Sequence, residues 1–191
     1  FVLQILEVTD QVIVCVNLLD EAKKRGVEID LKQLSTELQV PVIGTCAREK
    51  IGLNELVKQI EEITIHPQKE IIQTKYESDM EVSLTNIEKQ LKLYLPKDLS
   101  PRFFALKLLE NDQKMIQRLE EVTNFRLEDH PSLAKIVIEE RERLKQVGIL
   151  YHFIKNRTIK TMLHHAEQIC QKVVHQTKIH KKHHQKLEKL F

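Results

Sequence analysis

The sequence has 191 residues, 41% of them hydrophobic, with 30 Lys and Arg against 28 Asp and Glu and a formal net charge of +2. This composition excludes a disordered tail and leaves room for one medium domain or two small ones, and the near balance of charge gives no overall field that would attract nucleic acid. The three cysteines form no C-x-x-C pair, which argues against a zinc ribbon or a disulfide framework and favours a reducing cytosol.

Predicted strands alternate with helices in the first third of the chain. An apolar helix is expected at the start, around residues 1–6. The β-branched runs 11–16 and 41–44 predict parallel strands buried on both faces, because neither alternates polar and apolar residues. With helices after both strands, this order implies a parallel sheet with right-handed crossovers.

Capping residues delimit the helices of this first part. Gly26 is expected to follow the end of the first helix, and Asp30 to cap the start of the second, with Gln33 in the reciprocal capping-box position. The predicted helices are residues 20–25, 31–38 and 53–63.

The pattern changes around His66 and Pro67, where we place a domain boundary. Beyond it we find one brief strand-like run, residues 71–76, and otherwise predict helices. Two of these helices begin with a proline, which is favourable because the N–H that proline lacks has no hydrogen-bond partner at the first helical position. These helices are residues 82–94, 101–109, 112–122, 131–146 and 150–176. The predicted fold class is thus α/β, with a partial parallel sheet, followed by an all-α antiparallel bundle. The predicted domains are residues 1–64, 65–176 and 177–191.

The segment Asn17-Leu18-Leu19-Asp20 follows the first strand, at the edge where parallel sheets bind ligands. The Asp20 carboxylate can accept bonds from N1–H and the exocyclic amine of guanine, and Asn17 can donate to N7 or O6. Adenine would forfeit charge-assisted bonds worth roughly 1.5 to 3 kcal/mol each. By itself N-x-x-D is weak evidence, because a strand end followed by a helix N-cap produces the same pattern.

A second motif, Thr45-Cys46-Ala47, follows the second strand. A small residue there would let the backbone N–H of Ala47 approach the oxygen of the base. Two matched motifs on successive strands are stronger evidence than either alone. A reactive role for the Cys46 thiol is an alternative to simple packing, and packing is favoured.

Longer stretches of sequence resemble ferrous iron transport protein B, and the two motifs resemble translation-factor-type GTPases. The similar stretches are D-E-A-K-K-R-G at 20–26, L-S-x-x-L-x-V-P-V at 34–42, P-R-F-F-A-L-K-L-L-E-N-D at 101–112 and Y-x-F-I at 151–154. Leu18 stands where most GTPases have a lysine, although this family generally lacks it, and Leu150 stands where the family often has an arginine.

The resemblance implies the cytosolic region of a bacterial iron transporter. It would bind GTP or GDP, with Mg²⁺ in the intact protein, on the cytoplasmic face of the cell membrane. Its partners would be its own membrane domain, further copies of itself and the small protein FeoA, with no nucleic acid. Its site would comprise Asn17, Leu18, Asp20 and the second motif, and its helical part would join the nucleotide site to the membrane channel.

No G-x-x-x-x-G-K-[ST] motif occurs in this chain, because none of its four glycines are five residues apart. We therefore expect a fragment of a longer GTPase, with no catalytic residue and no Mg²⁺ ligand of its own, that cannot hydrolyse GTP by itself. Two other interpretations stay open. One is a soluble translation-factor-type GTPase with a helical domain, and the other is a helical interaction module with a degenerate nucleotide site.

The basic, histidine-rich end allows several interpretations. His180 and His184 are four residues apart and could chelate a divalent metal on one helical face. The surrounding lysines disfavour a cation, so a solvated face is preferred over a metal site. A juxtamembrane segment that obeys the positive-inside rule is the better functional interpretation.

Overall fold

A computed structural model describes residues 1–66, 73–96 and 99–176. Helices dominate this part of the chain, and they are joined by four short strands. The helices are α1 Val2–Val8, α2 Leu19–Lys24, α3 Leu31–Leu38, α4 Leu53–Ile65, α5 Ser78–Leu91, α6 Pro101–Glu110, α7 Gln113–Thr123, α8 Pro131–Gln146 and α9 Tyr151–Val173. The strands are β1 Val14–Val16, β2 Val27–Ile29, β3 Val42–Gly44 and β4 Val174–Gln176.

The structure divides into two compact units. Among the described residues, the helical unit lies mainly within Leu3–Thr9 and Gln73–His164, and the sheet unit mainly within Asp10–Ile72 and His165–Phe191. Helix α1 therefore packs with the later helices, and the last turns of α9 with the sheet. These units differ from the domain ranges 1–64, 65–176 and 177–191, which remain a prediction.

Strands β1 and β3 pair in parallel, with Val14 opposite Val42 and Val16 opposite Gly44. The predicted fold class, a partial parallel sheet followed by helices, is confirmed. Both strands are shorter than predicted, since only three residues of each join the ladder.

A second pairing was missed by the sequence prediction. Strand β2 pairs antiparallel with β4, with Val27 opposite Gln176 and Ile29 opposite Val174. The predicted helix over residues 150–176 is therefore wrong for its last three residues, which exchange helical bonds for ladder bonds with a distant partner. The predicted strand-like run is also wrong over residues 73–76, which form no strand, and its first two residues lie outside the described part.

Helix α3 shows how a local signal was half realised. The Asp30 carboxylate accepts a hydrogen bond from the Gln33 backbone N–H at 2.9 Å, as predicted for an N-cap. The Gln33 side chain instead donates to Glu37 at 3.0 Å. The backbone N–H of Asp30 has another acceptor, because it donates to the Val173 carbonyl at 2.8 Å. Tertiary pairing has thus replaced the reciprocal half of the capping box.

The helical unit has an extensive apolar core. Leu84, Ile87, Leu109 and Leu133 are all 0% exposed, and Phe104 packs edge-on against Phe125 with ring centroids 5.4 Å apart. Burial of one such side chain stabilises the fold by roughly 1.5 to 3 kcal/mol. Pro101 and Pro131 both occupy first-turn positions of their helices, as predicted. In the described residues, no helix is both long enough and apolar enough to cross a membrane.

Arg102 is a buried cation within this unit. Its guanidinium donates to the Glu81 carboxylate at 2.7 and 3.0 Å and to the Thr74 carbonyl at 2.9 Å. Its Nε lies 3.9 Å from Oε2 of the buried Glu7, whose Oε1 accepts bonds from the Thr74 N–H and the Tyr76 hydroxyl, each 3.3 Å long. Arg102 thereby connects α1, the segment before α5, and α5 itself.

Candidate functional site

The carboxyl ends of β1 and β3 bring the two sequence motifs together. The Thr45 N–H donates to the Val16 carbonyl at 2.8 Å, which continues the parallel ladder one residue beyond the strands. Asn17 leaves β1 at this edge, and the loop that begins at Thr45 leaves β3 beside it. The predicted site residues thus lie on adjacent loops and, for Asp20, in the first turn of α2, at the edge where parallel sheets bind ligands.

The side chain of Asn17 joins these two loops. Its Oδ1 accepts hydrogen bonds from the Thr45 hydroxyl at 3.2 Å and from the Ala47 backbone N–H at 3.3 Å. Thr45 is only 2% exposed, and its hydroxyl also lies 3.2 Å from the Cys15 sulfur. Because the oxygen of the Asn17 amide points inward, its NH₂ group is the part left for a ligand.

The Ala47 backbone N–H donates to Asn17 Oδ1 in the structure. Its approach to the oxygen of a base stays a prediction. The bond of 3.3 Å is longer than the usual 2.9 to 3.0 Å. A ligand oxygen would therefore have to share this N–H or replace Asn17 as its acceptor.

Asp20 lies in the first turn of α2, with its side chain 17% exposed. Its Oδ1 accepts a bond from the Cys46 thiol at 3.2 Å, while Oδ2 faces the Arg48 guanidinium at 3.5 Å and the Lys24 ammonium at 3.8 Å. The thiol bond, with help from the Glu21 N–H and the two cations, lowers the pKa of Asp20. The carboxylate is therefore charged at neutral pH and accessible from one side.

Cys46 is 4% exposed and sits at the base of a closed loop. Its N–H and carbonyl both bond to Ile51, each at 3.2 Å. Burial, reinforced by the bond to Asp20, raises the pKa of the thiol. The thiol is thus protonated at neutral pH, which supports packing over nucleophilic reactivity.

Leu18 adopts a left-handed backbone conformation, with φ of 61° and ψ of 34°, directly before α2. Such a conformation costs roughly 1 to 2 kcal/mol for a residue with a Cβ. Its side chain is 52% exposed although it is apolar. An exposed leucine between Asn17 and Asp20 offers an apolar surface to the face of a flat ligand.

Sequence reasoning missed three contributors to this site. Lys24 could have been found from its i, i+4 spacing to Asp20, whereas Arg48 reaches Asp20 only through the pairing of β1 with β3. Gly52 has a φ of +79°, and a Cβ there would lie 2.3 Å from the Gly44 carbonyl oxygen. The loop therefore closes tightly against β3 and needs glycine at this position. The earlier metal candidates His180 and His184 lie outside the described residues.

Comparison with known families matches both parts of the chain. A family model described as ferrous iron transport protein B matches residues 1–60, and a model for the FeoB cytosolic helical domain matches residues 76–175. A relative from Porphyromonas gingivalis, described as a fusion of Fe(2+) transport protein A and the Fe(2+) transporter FeoB, is 33% identical over 119 residues. The alignment covers 59% of this chain but only 14% of that relative.

Solved structures show the same fold. The S. thermophilus NFeoB structure bound to GDP, AlF₄⁻ and K⁺ has a TM-score of 0.67 and 22% identity, over 88% of this chain and 62% of that one. The cytosolic domain of the T. maritima FeoB iron transporter in GDP form II has a TM-score of 0.64 and 22% identity, over 91% and 61%. This chain thus spans about three fifths of each of these structures.

Proposed function

Because the chain belongs to the family of ferrous iron transport protein B, we propose that it contributes the guanine-recognition part of the nucleotide site in such a transporter. The observation that carries the proposal is the convergence of Asn17 and Asp20 with the loop after β3. The nucleotide-binding residues would be Asn17, Leu18, Asp20, Thr45, Cys46 and Ala47.

Each residue has a defined role in this proposal. Asp20 accepts hydrogen bonds from N1–H and the exocyclic amine of guanine, for which its thiol bond from Cys46 must give way. The Asn17 NH₂ group donates to N7 or O6, while its oxygen continues to hold the loop. Leu18 packs on the face of the base. The Thr45 hydroxyl donates a hydrogen bond to Asn17 Oδ1 and so orients the Asn17 amide.

The residues of this chain would provide specificity for the base but no catalysis. Two charge-assisted hydrogen bonds to Asp20, worth about 1.5 to 3 kcal/mol each, favour guanine over adenine at least 100-fold. We assign the phosphates, Mg²⁺ and GTP hydrolysis to other residues of the intact protein, since no phosphate-binding loop occurs in this sequence. This chain alone would bind nucleotide weakly, through the base.

At the level of the whole protein, we propose that GTP hydrolysis gates or drives Fe²⁺ uptake on the cytoplasmic side of the membrane. The helical unit would transmit the state of the nucleotide to the membrane domain, and copies of the protein could associate there. The fusion of transport proteins A and B in the P. gingivalis relative supports a FeoA-type protein as a partner.

Two-dimensional NMR of the ¹⁵N-labelled chain tests base recognition, because it detects binding at millimolar ligand. GDP should shift the amide signals of Asn17, Asp20 and Ala47, and ADP should not. Absence of any GDP-dependent shift in these signals would overturn the proposal.

Asp20→Asn provides a sharper test of the carboxylate. An amide can accept only one of the two guanine bonds, so GDP binding should weaken by roughly 10- to 100-fold. Xanthosine diphosphate should bind the Asp20→Asn variant more tightly than the unmodified chain, because its C2 carbonyl accepts a hydrogen bond from the new NH₂ group. Glu21→Gln removes a neighbouring charge of the same helix and should change neither preference. Equal loss of GDP binding in both variants would refute the assigned role of Asp20.

A further inference from the structure

Three side chains that can ligate metal ions converge beside β3. They are Asp20 of α2, Cys46 after β3 and Glu49 of the short 3₁₀ helix Ala47–Glu49. One donor atom from each lies within 4.8 Å of the other two, and the Cys46 sulfur is 3.2 Å from Oδ1 of Asp20. One sulfur and two carboxylate oxygens are therefore close enough to approach a single ion.

These separations suit a small divalent ion. Bonds of about 2.3 Å to sulfur and about 2.1 Å to oxygen, at tetrahedral angles, place the sulfur about 3.6 Å from each oxygen. The observed separation between Cys46 and Asp20 is within a few tenths of an ångström of that spacing. Glu49 is exposed, so its carboxylate can rotate toward the other two donors. The closed loop between Cys46 and Ile51 fixes the backbone of both Cys46 and Glu49.

The neighbouring cations do not occupy the position beside Asp20 Oδ1 where a metal ion would lie. Lys24 and Arg48 contact Oδ2 of Asp20, whereas the thiol contacts Oδ1. Their side chains are 71% and 73% exposed, so both can move into solvent. Metal binding would release the Cys46 thiol proton to solvent and leave three anionic donors against these two mobile cations.

The donor set points to the kind of ion. One sulfur and two carboxylate oxygens suit a borderline-soft divalent transition-metal ion such as Fe²⁺, which accepts both kinds of ligand. We infer that Asp20, Cys46 and Glu49 form a binding site for a divalent transition-metal ion such as Fe²⁺, and that this ion excludes guanine because both require the Asp20 carboxylate. The exclusion rests on the proposed nucleotide function, whereas the metal site does not. Transported iron would thereby weaken nucleotide binding.

Titration of the chain with Co²⁺ tests the metal site. A thiolate bound to Co²⁺ gives a charge-transfer band in the near ultraviolet that histidine ligands do not give. The band should saturate at one equivalent, disappear in Cys46→Ser and persist in Cys170→Ser, which alters an exposed cysteine of α9. Far-UV circular dichroism checks that both variants fold. A missing band, or a band that survives Cys46→Ser in the folded variant, would overturn the site.

Glu49→Gln tests the third ligand without touching the nucleotide residues. It should weaken Co²⁺ binding at least about tenfold, since even residues that only support metal ligands contribute that much. Glu55→Gln, a nearby exposed carboxylate of α4, should leave the affinity unchanged. Equal effects of the two variants would mean that general charge, and not ligation, explains the binding.

Competition then tests exclusion. Added GDP should suppress the thiolate band more strongly than the same concentration of ADP, whose diphosphate chelates free Co²⁺ equally well. Anaerobic Fe²⁺ should displace Co²⁺ from the site. A band that stays at full strength while GDP shifts the Asn17 amide signal would refute the exclusion. If GDP causes no shift at all while the band forms, the metal site stands and the proposed nucleotide function fails.

Discussion

The two units of this chain bury their apolar residues very differently. In the helical unit the core side chains of α5, α6 and α8 are almost fully enclosed, and Leu84, Leu109 and Leu133 are 0% exposed. In the sheet unit, α4 has no buried residue, and its Val57 and Ile65 are 55% and 70% exposed. Stability is therefore concentrated in the helical unit, and the candidate ligand site in the unit with the thinner core.

The same division separates two kinds of polar cluster. Arg102 and Glu7 are each about 5% exposed and are held by neighbours inside the helical unit. Asn17 lies on a loop and Asp20 in the first turn of α2, both at the edge of a small sheet, where their partners can exchange for a ligand. A buried polar cluster fixes a structure, while a partly exposed one can bind.

Of the variants that test this contrast, Phe104→Ala should cause the largest loss of stability. Deleting a ring that is 1% exposed leaves a cavity and should cost about 4 kcal/mol. Hydrogen exchange measured by mass spectrometry should accelerate in peptides from residues 99–146. Val57→Ala, at an exposed site of the sheet unit, should cost less than about 0.5 kcal/mol. Comparable costs for the two variants would contradict the unequal cores.

Arg102→Met should have the next largest effect. It leaves the Glu7 and Glu81 carboxylates without their buried cation, at a cost of about 3 kcal/mol in the free energy of unfolding. Arg118→Met removes an exposed ion pair with Glu121 and should cost at most about 1 kcal/mol. Urea denaturation followed by circular dichroism measures both. If the two arginines prove interchangeable in cost, the fixing role of the buried cluster is wrong.

Helix caps allow a like-for-like comparison between the units. Asp30 caps α3 in the sheet unit and Ser100 caps α6 in the helical unit, each through one N–H bond, at 2.9 and 3.1 Å. Replacement by Ala should cost about 1 kcal/mol in either case. Exchange should accelerate in α3 for Asp30→Ala but barely in α6 for Ser100→Ala, since the core holds α6. The reverse order would show that capping, and not packing, limits α6.

The smallest expected effect is a change in how the free energy of unfolding depends on pH. Burial raises the pKa of Glu7 above its ordinary value of 4.5, although Arg102 and the bonds from Thr74 and Tyr76 oppose the shift. The folded state then binds more protons than the unfolded state above pH 4.5, so this group loses stability as pH rises through its folded pKa.

Glu7→Gln removes that contribution and keeps an oxygen acceptor. The free energy of unfolding of the unmodified chain, relative to the variant, should therefore fall as pH rises from about 4.5. Denaturation series at several pH values measure the difference. A difference that grows with pH would reverse the assigned direction.

Local signals in the sequence anticipated much of the fold. Helix α8 begins and ends as predicted, at Pro131 and Gln146, because its start signal and its periodicity are contained within the segment. The Asp30 cap and the left-handed Gly26, with φ of 69°, are also local. The pairing of β1 with β3 was predicted from two β-branched runs and is confirmed. The predicted burial of both strands on both faces is wrong for β1, where Cys15 is exposed.

What the sequence by itself determined is the set of residues that can read a base and the elements that carry them. Asn17 and Asp20 occur at the end of a predicted strand, and Thr45 to Ala47 at the end of the next, so their meeting followed from the topology of parallel sheets. Their role in nucleotide binding stays a prediction.

Only the tertiary structure decided which distant segments join. Residues 174–176 read as the end of a helix, yet they pair with β2, because ladder bonds to a partner about 145 residues away leave no mark on local periodicity. Likewise no local signal near Glu7 predicts its contact with Arg102, and none near Asp20 predicts its contact with Arg48. Pattern and propensity act over a few residues, whereas burial and hydrogen bonding choose partners across the whole chain.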